Sequence, residues 1–130
     1  MSVISIFLAV AVNVVVGSLW YSPFIFGKQW TELIGKNKSE LGSPVRGMSI
    51  MVVLAVILSL VLSNVIRANH VTNIQDVLMI TLFIWGGFVL PFTATDVAFA
   101  GKPWKLFLIN AGNQLISLFG MGLVFLFVPV

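Results

Sequence analysis

The chain has no cysteine among its 130 residues, which excludes disulfides, thiolate metal sites and cysteine nucleophiles. Charge is almost as scarce. Asp, Glu, Lys and Arg make up 8% of the sequence, and the net charge of +3 is too small and too scattered for a nucleic-acid surface. There is a single histidine, His70, in the reach of a predicted turn. No Gly-x-Ser-x-Gly elbow, no paired carboxylates and no cluster of metal ligands occurs, so the residues point away from an enzyme and call for no cofactor.

Where charge is missing tells more than how little there is. Four windows carry no Asp, Glu, Lys or Arg: residues 1–27, 47–66, 77–95 and 106–130. Each approximates the roughly 20 residues that a helix needs to cross a hydrocarbon core. With 59% hydrophobic residues and a mean hydropathy of +1.10, the chain reads as an all-α polytopic membrane protein. The expected fold is a single domain over residues 1–130: an antiparallel bundle of four transmembrane helices at about 3–20, 44–66, 73–98 and 103–128. The first window lacks a basic residue ahead of its apolar run and a convincing cleavage site, so it is expected to remain as a membrane helix.

The basic residues orient the bundle. Lys28, Lys36, Lys38 and Arg46 fall in the first loop and Lys102 and Lys105 in the third, whereas the opposite side has only Arg67. The positive-inside bias puts loops one and three in the cytoplasm and both termini outside.

Ser22-Pro23 is expected to end helix one, since proline disfavours helical geometry at the preceding residue. Beyond it, Phe26, Trp30, Leu33 and Ile34 share one face of a short helix, with Lys28, Gln29 and Glu32 elsewhere. That helix either lies on the leaflet as an interfacial segment or caps the bundle. Ser43-Pro44 opens helix two with an N-cap and a first-turn proline. Thr72-Asn73-Ile74-Gln75 matches a capping box for helix three, with Asp76 in its first turn. In that helix Pro91 predicts a kink, and Trp85, Phe88, Phe92 and Asp96 share a face by helical spacing.

The membrane windows contain a polar set: Asn13, Trp85, Asp96, Asn110, Asn113 and Gln114. Counting from the helix ends places Asn13 and Asn110 at one depth, roughly 10 Å below the cytoplasmic surface. Unpaired polar groups in hydrocarbon cost several kcal/mol each, so the stripe Asn110, Asn113, Gln114, Ser117, Met121 must face protein or water. Two readings stand. The carboxamides bond across helices while Asp96 pairs with a lysine, or they line a pocket open to the cytoplasm. Gly112 and Gly120 lie near the stripe and permit close helix approach.

Two stretches repeat Gly-Lys-x-Trp: Leu19 to Trp30 (LWYSPFIFGKQW) and Gly101 to Gly112 (GKPWKLFLINAG). The echo fits either a duplicated hairpin or convergence, with glycine ending a helix and lysine and tryptophan anchoring at headgroups. Trp20, Tyr21, Lys28, Trp30, Lys102, Trp104 and Lys105 are the expected cytoplasmic mouth and headgroup contacts. These two segments, with Trp85-Gly86-Gly87-Phe88 between them, resemble an uncharacterised family of small bacterial membrane proteins grouped as a domain of unknown function. The resemblance implies a similar length and four transmembrane helices. It transfers no catalytic residue, and where such proteins often have an aromatic residue after Gly112 this chain has Asn113.

The expected role is a membrane scaffold or accessory subunit that assembles with itself or with a larger membrane complex in the lipid bilayer. The alternative is a small homo-oligomeric transporter or channel with a polar pocket in the cytoplasmic half.

Overall fold

The computed structural model describes residues 2–35 and 44–128. Ser43, Lys36 and Lys38, invoked above as a cap and as part of the charge bias, lie outside the described residues. The elements are α1 (Val3–Trp20), α2 (Gly27–Ile34), α3 (Pro44–Ala68), α4 (Ile74–Ile84), a π-turn (Trp85–Val89), α5 (Leu90–Ala100) and α6 (Trp104–Phe127). Helix α4, the π-turn and α5 form one continuous span, so four helices are long and apolar enough to cross a membrane. All described secondary structure is helical.

The four spans are not equivalent. Helix α6 has 33% of its apolar window buried, against 11% for the Ile74–Ala100 span. It runs through the middle, touching α1, α2, α3 and the third span in turn. The core gathers on it: Ala9, Leu62 and Ile66 close around Leu118, Met121 and Phe125. Small residues let the neighbours in. A Cβ on Gly120 would stand 2.9 Å from Val12 Cγ1, and one on Gly122 would stand 2.7 Å from Val77 Cγ1. The wide exposure of Val53, Ile57, Phe83 and Phe92 is the ordinary condition of side chains that face acyl chains.

Three local expectations change. The cap of α4 is Asn73, whose side chain accepts the Asp76 N–H at 2.8 Å; the capping residue is thus one later than Thr72. Pro91 is preceded by a π-turn in which Leu90 N–H reaches Trp85 O, five residues back. The proline has no N–H and crowds the carbonyl four residues before it, and the wider turn makes room. One extra residue rotates everything beyond it by about 100°. Trp85 is therefore half-buried while Phe88 and Phe92 are 66% and 77% exposed, and the four residues predicted to share a face do not.

The third change concerns the repeat. Gly101 caps α5 in the left-handed region at φ 68°, as a helix-ending glycine should. Gly27 instead begins α2 and is buried. The two copies of Gly-Lys-x-Trp hold different conformations in different contexts, which favours convergence over duplication.

Candidate functional site

The first motif folds into one unit and docks on the second. After α1 the chain turns through Ser22 to Phe26, held by Phe26 N–H to Trp20 O at 3.0 Å and Gly27 N–H to Ser22 O at 2.8 Å. Phe26 packs on Trp20 with ring centroids 4.8 Å apart, and Trp30 meets Tyr21 edge-on at 5.6 Å. This turn requires glycine at position 27. A Cβ there would run into Tyr21 O and stand 2.7 Å from the Ser22 carbonyl carbon, and backbone atoms cannot swing aside.

The docked surface is Ile109 to Gly112. Trp20 Nε1–H donates to Ile109 O at 2.8 Å, and Trp85 Nε1–H donates to Ala111 O at 2.8 Å. The two indoles thus bracket Asn110. Each carbonyl has two lone pairs, so it accepts an indole while keeping its helical bond. Gly112 makes the approach possible, because a Cβ on it would stand 2.7 Å from Trp20 Cζ2. Tyr21 completes the dock, its hydroxyl donating to Asn110 Oδ1 at 2.5 Å. Burial pushes the Tyr21 phenol up to about 12, so the proton needed for this bond is present at neutral pH.

Deeper along the same pair of helices, Asn13 Nδ2 donates to Ser117 Oγ at 2.8 Å and lies 3.7 Å from Met121 Sδ. The depth count is corrected here. Tyr21 sits beside Asn110, and Asn13 beside Ser117, seven residues and about 10 Å further along α6. Counting from helix ends assumed that α1 and α6 finish level. In fact α6 extends beyond Tyr21 by its first turns, and α2 packs against that extension, with Trp30, Leu33 and Ile34 half-buried and Lys28, Gln29 and Glu32 exposed. Replacing Asn13 by leucine and Ser117 by alanine, singly and together, is expected to reveal a coupling of about 0.6–1.7 kcal/mol in reversible unfolding. A coupling of zero would mean that the pair does not join α1 to α6.

The remaining polar residues divide. Asp96 Oδ2 and Lys102 Nζ pair at 2.7 Å across the Gly101 turn, with 59% and 48% of their side chains exposed. Such a pair contributes about 0–1 kcal/mol. Lys28 lies apart, beside a surface recess that it lines with Tyr21, Pro23, Thr31 and Glu32. Trp104 opens α6 at 58% exposure and packs edge-on against Phe107 at 5.6 Å; Lys105 is exposed as well. These two and Lys28 stand free to meet headgroups, whereas the polar atoms of Trp20 and Tyr21 are taken by α6.

Two carboxamides are left over. Asn113 Oδ1 and Gln114 Oε1 are buried and accept no hydrogen bond. Gln114 lines a cavity of about 170 Å³ at this end of the bundle, together with Tyr21, Thr93, Asp96, Lys102 and Asn110. Of the residues expected to form a pocket, Asp96, Asn110 and Gln114 do meet there, while Asn13 and Trp85 serve helix contacts elsewhere. Tyr21 and Lys102, expected at the mouth, line the cavity as well, and Thr93 is the polar lining residue that the sequence reading missed. Thr93 lies three residues before Asp96, a spacing that puts both on one face of α5, and that was the available signal.

Four apolar spans, three of them gathered on the fourth, define a small integral membrane protein. The chain belongs to the DUF1761 family, described as proteins of unknown function, which matches residues 4–126. No curated protein and no solved structure matches it.

Proposed function

We propose that the protein is a membrane scaffold or accessory subunit, seated in the bacterial inner membrane with loops one and three in the cytoplasm, and that it acts through assembly rather than catalysis. The third span carries this reading. Gly86 and Gly87 lie midway along it, exposed, with nothing within 4 Å of where a Cβ would stand. Pro91 cannot supply the N–H that a helix would offer to the carbonyls of this turn. An outward-facing polar notch at that depth is costly in lipid and is relieved by a neighbouring helix that brings a donor.

The test is the mass of the full chain extracted in mild detergent and measured by native mass spectrometry. Assembly predicts a species heavier than one 14.2 kDa chain, reduced to the monomer by Gly87→Phe. A wild-type chain that travels alone would contradict the reading. A homo-oligomeric transporter or channel is the second reading, favoured by one observation: the Gln114 oxygen buried without a partner beside the cavity. A stable complex with a different protein counts against it.

A further inference from the structure

The end of the bundle away from Lys28 and Lys102 has one arginine and no lysine, Arg67 in the last turn of α3. Arg67 lines a recess of about 250 Å³ with Ser63, Ile66, His70, Val71 and Phe125. Ser63 is its deep polar side chain, only 2% exposed. Other polar residues of α3 satisfy themselves: Ser49, Ser59 and Asn64 each donate to the carbonyl four residues back. Ser63 does not, and among the described residues its hydroxyl has no hydrogen-bond partner. Nor is that oxygen sealed in. The side-chain atoms shut from solvent without a partner belong to Asn113 and Gln114, so the Ser63 hydroxyl opens on the recess. The guanidinium of Arg67 and the imidazole of His70 are likewise without a partner among the described residues.

Donors therefore dominate this space. Arg67 brings five N–H groups, Ser63 an O–H, and His70 at least one N–H in either protonation state. No carboxylate of the described residues lines it. Carbonyls at a helix C-terminus oppose an anion, but here they are engaged: Val65 O accepts the Asn69 N–H and Nδ2–H, Ile66 O the Val71 N–H, and Arg67 O the His70 N–H. His70 holds φ 52°, a left-handed conformation in which glycine is the usual helix-ending residue. A side chain kept there against strain points to a use for it. Arg67 complements the dipole of α3 and His70 closes the turn, yet neither role uses Ser63.

We propose that this recess binds a phosphate group, that of a phospholipid headgroup or of free phosphate, with Arg67 and His70 at the rim and Ser63 beneath. Arginine pairs with phosphate through two parallel N–H bonds, and a tetrahedral ion has oxygens left for the other two donors. Arg67 stands one residue from the end of its span, at the level where headgroups lie. The recess is smaller than the about 300–1,000 Å³ of pockets for drug-sized ligands, which suits the phosphate group itself. The assembly reading concerns the third span, and this proposal does not rest on it.

The test is calorimetric titration of the full chain in dodecyl maltoside with two probes, sodium phosphate and dihexanoylphosphatidylglycerol, against sodium chloride at equal ionic strength. Saturable binding of at least one is expected, and the probe that binds more tightly identifies the source of the phosphate. Ser63→Ala and Arg67→Gln should each weaken binding about tenfold or more, as the loss of a hydrogen bond to a charged group does. His70→Gly should weaken it in the same direction. Dihexanoylglycerol, with the same tails and no phosphate, should not bind.

Saturation by neither probe would overturn the proposal. So would binding that Ser63→Ala and His70→Gly leave unchanged, or a dihexanoylglycerol signal equal to that of the phospholipid with none from free phosphate. Ser63→Ala removes a hydroxyl that has no partner and His70→Gly relieves the backbone, so both variants keep the fold. Because Ser63→Ala removes no charge, its loss of binding distinguishes a built site from general attraction of anions to Arg67.

Discussion

Replacing Gly27 with alanine is expected to lower the unfolding free energy by at least about 3 kcal/mol, more than alanine at any other described glycine. Overpacking in an adaptable core costs about 1–3 kcal/mol. Here the obstruction is backbone, Tyr21 O and the Ser22 carbonyl, which move only if the turn opens. Opening it separates Phe26 from Trp20 and Trp30 from Tyr21, and α2 loses its seat on α6. Two glycines provide the scale. Gly101→Ala should cost about 1–2 kcal/mol, the strain of a side chain in the left-handed region. Gly86→Ala, with open space around it, should leave monomer stability nearly unchanged. Reversible unfolding of the three variants in mixed micelles orders them directly, and a Gly27→Ala protein as stable as Gly86→Ala would refute the account of the turn.

The second large effect is expected at Trp20. Truncation to alanine removes a ring packed between Phe26 and Gly112 and should cost about 3 kcal/mol, at the lower end of the range for a large aromatic. Trp20→Phe keeps most of the ring and loses only the N–H to Ile109 O, so about 1 kcal/mol is expected. The gap between the two separates packing from hydrogen bonding. Trp104→Ala is the comparison, since Trp104 is 58% exposed and its ring meets Phe107 edge-on; it should change stability by about 0.5 kcal/mol or less. Equal losses at Trp20 and Trp104 would show that Trp20 is an interfacial anchor and no part of the α1–α6 contact.

These two residues show why the motif reads so differently in the sequence and in space. Tryptophan and tyrosine at the end of an apolar helix are, by composition, headgroup anchors. Nothing in Leu19 to Trp30 reveals that a glycine 92 positions away from Trp20, Gly112, leaves a gap of the right shape for the indole. The sequence relates the two segments only as an echo of one motif, and the structure shows them to be two halves of one contact. Asn110 follows the same pattern. Its membrane burial was legible from position alone, but its partner Tyr21 depended on how far α6 projects past α1.

The candidate cavity was half legible. Asp96, Asn110 and Gln114 were marked because polar side chains in hydrocarbon windows need partners, and they do meet at one end of the bundle. Asn13 was marked by the same reasoning and belongs to a different contact, with Ser117. The rule identifies residues that must be satisfied and is silent about what satisfies them. Trp85 shows the effect of local geometry, since the π-turn rotates the helix so that Trp85 and Asp96 no longer lie on a common face.

What the sequence determined by itself is whatever follows from one-dimensional spacing against a slab of fixed thickness. Four charge-free windows, their lengths and the breaks at Pro23 and Pro103 define four spans with no knowledge of neighbours, because each helix satisfies its own backbone in the membrane. Only the tertiary structure decided which helix lies at the centre, how α1 slides along α6, and which carboxamides are satisfied. Those outcomes depend on close approach at Gly112, Gly120 and Gly122 and on hydrogen bonds between residues as far apart as Asn13 and Ser117. Helix register is a property of two surfaces fitting together, and neither surface alone contains it.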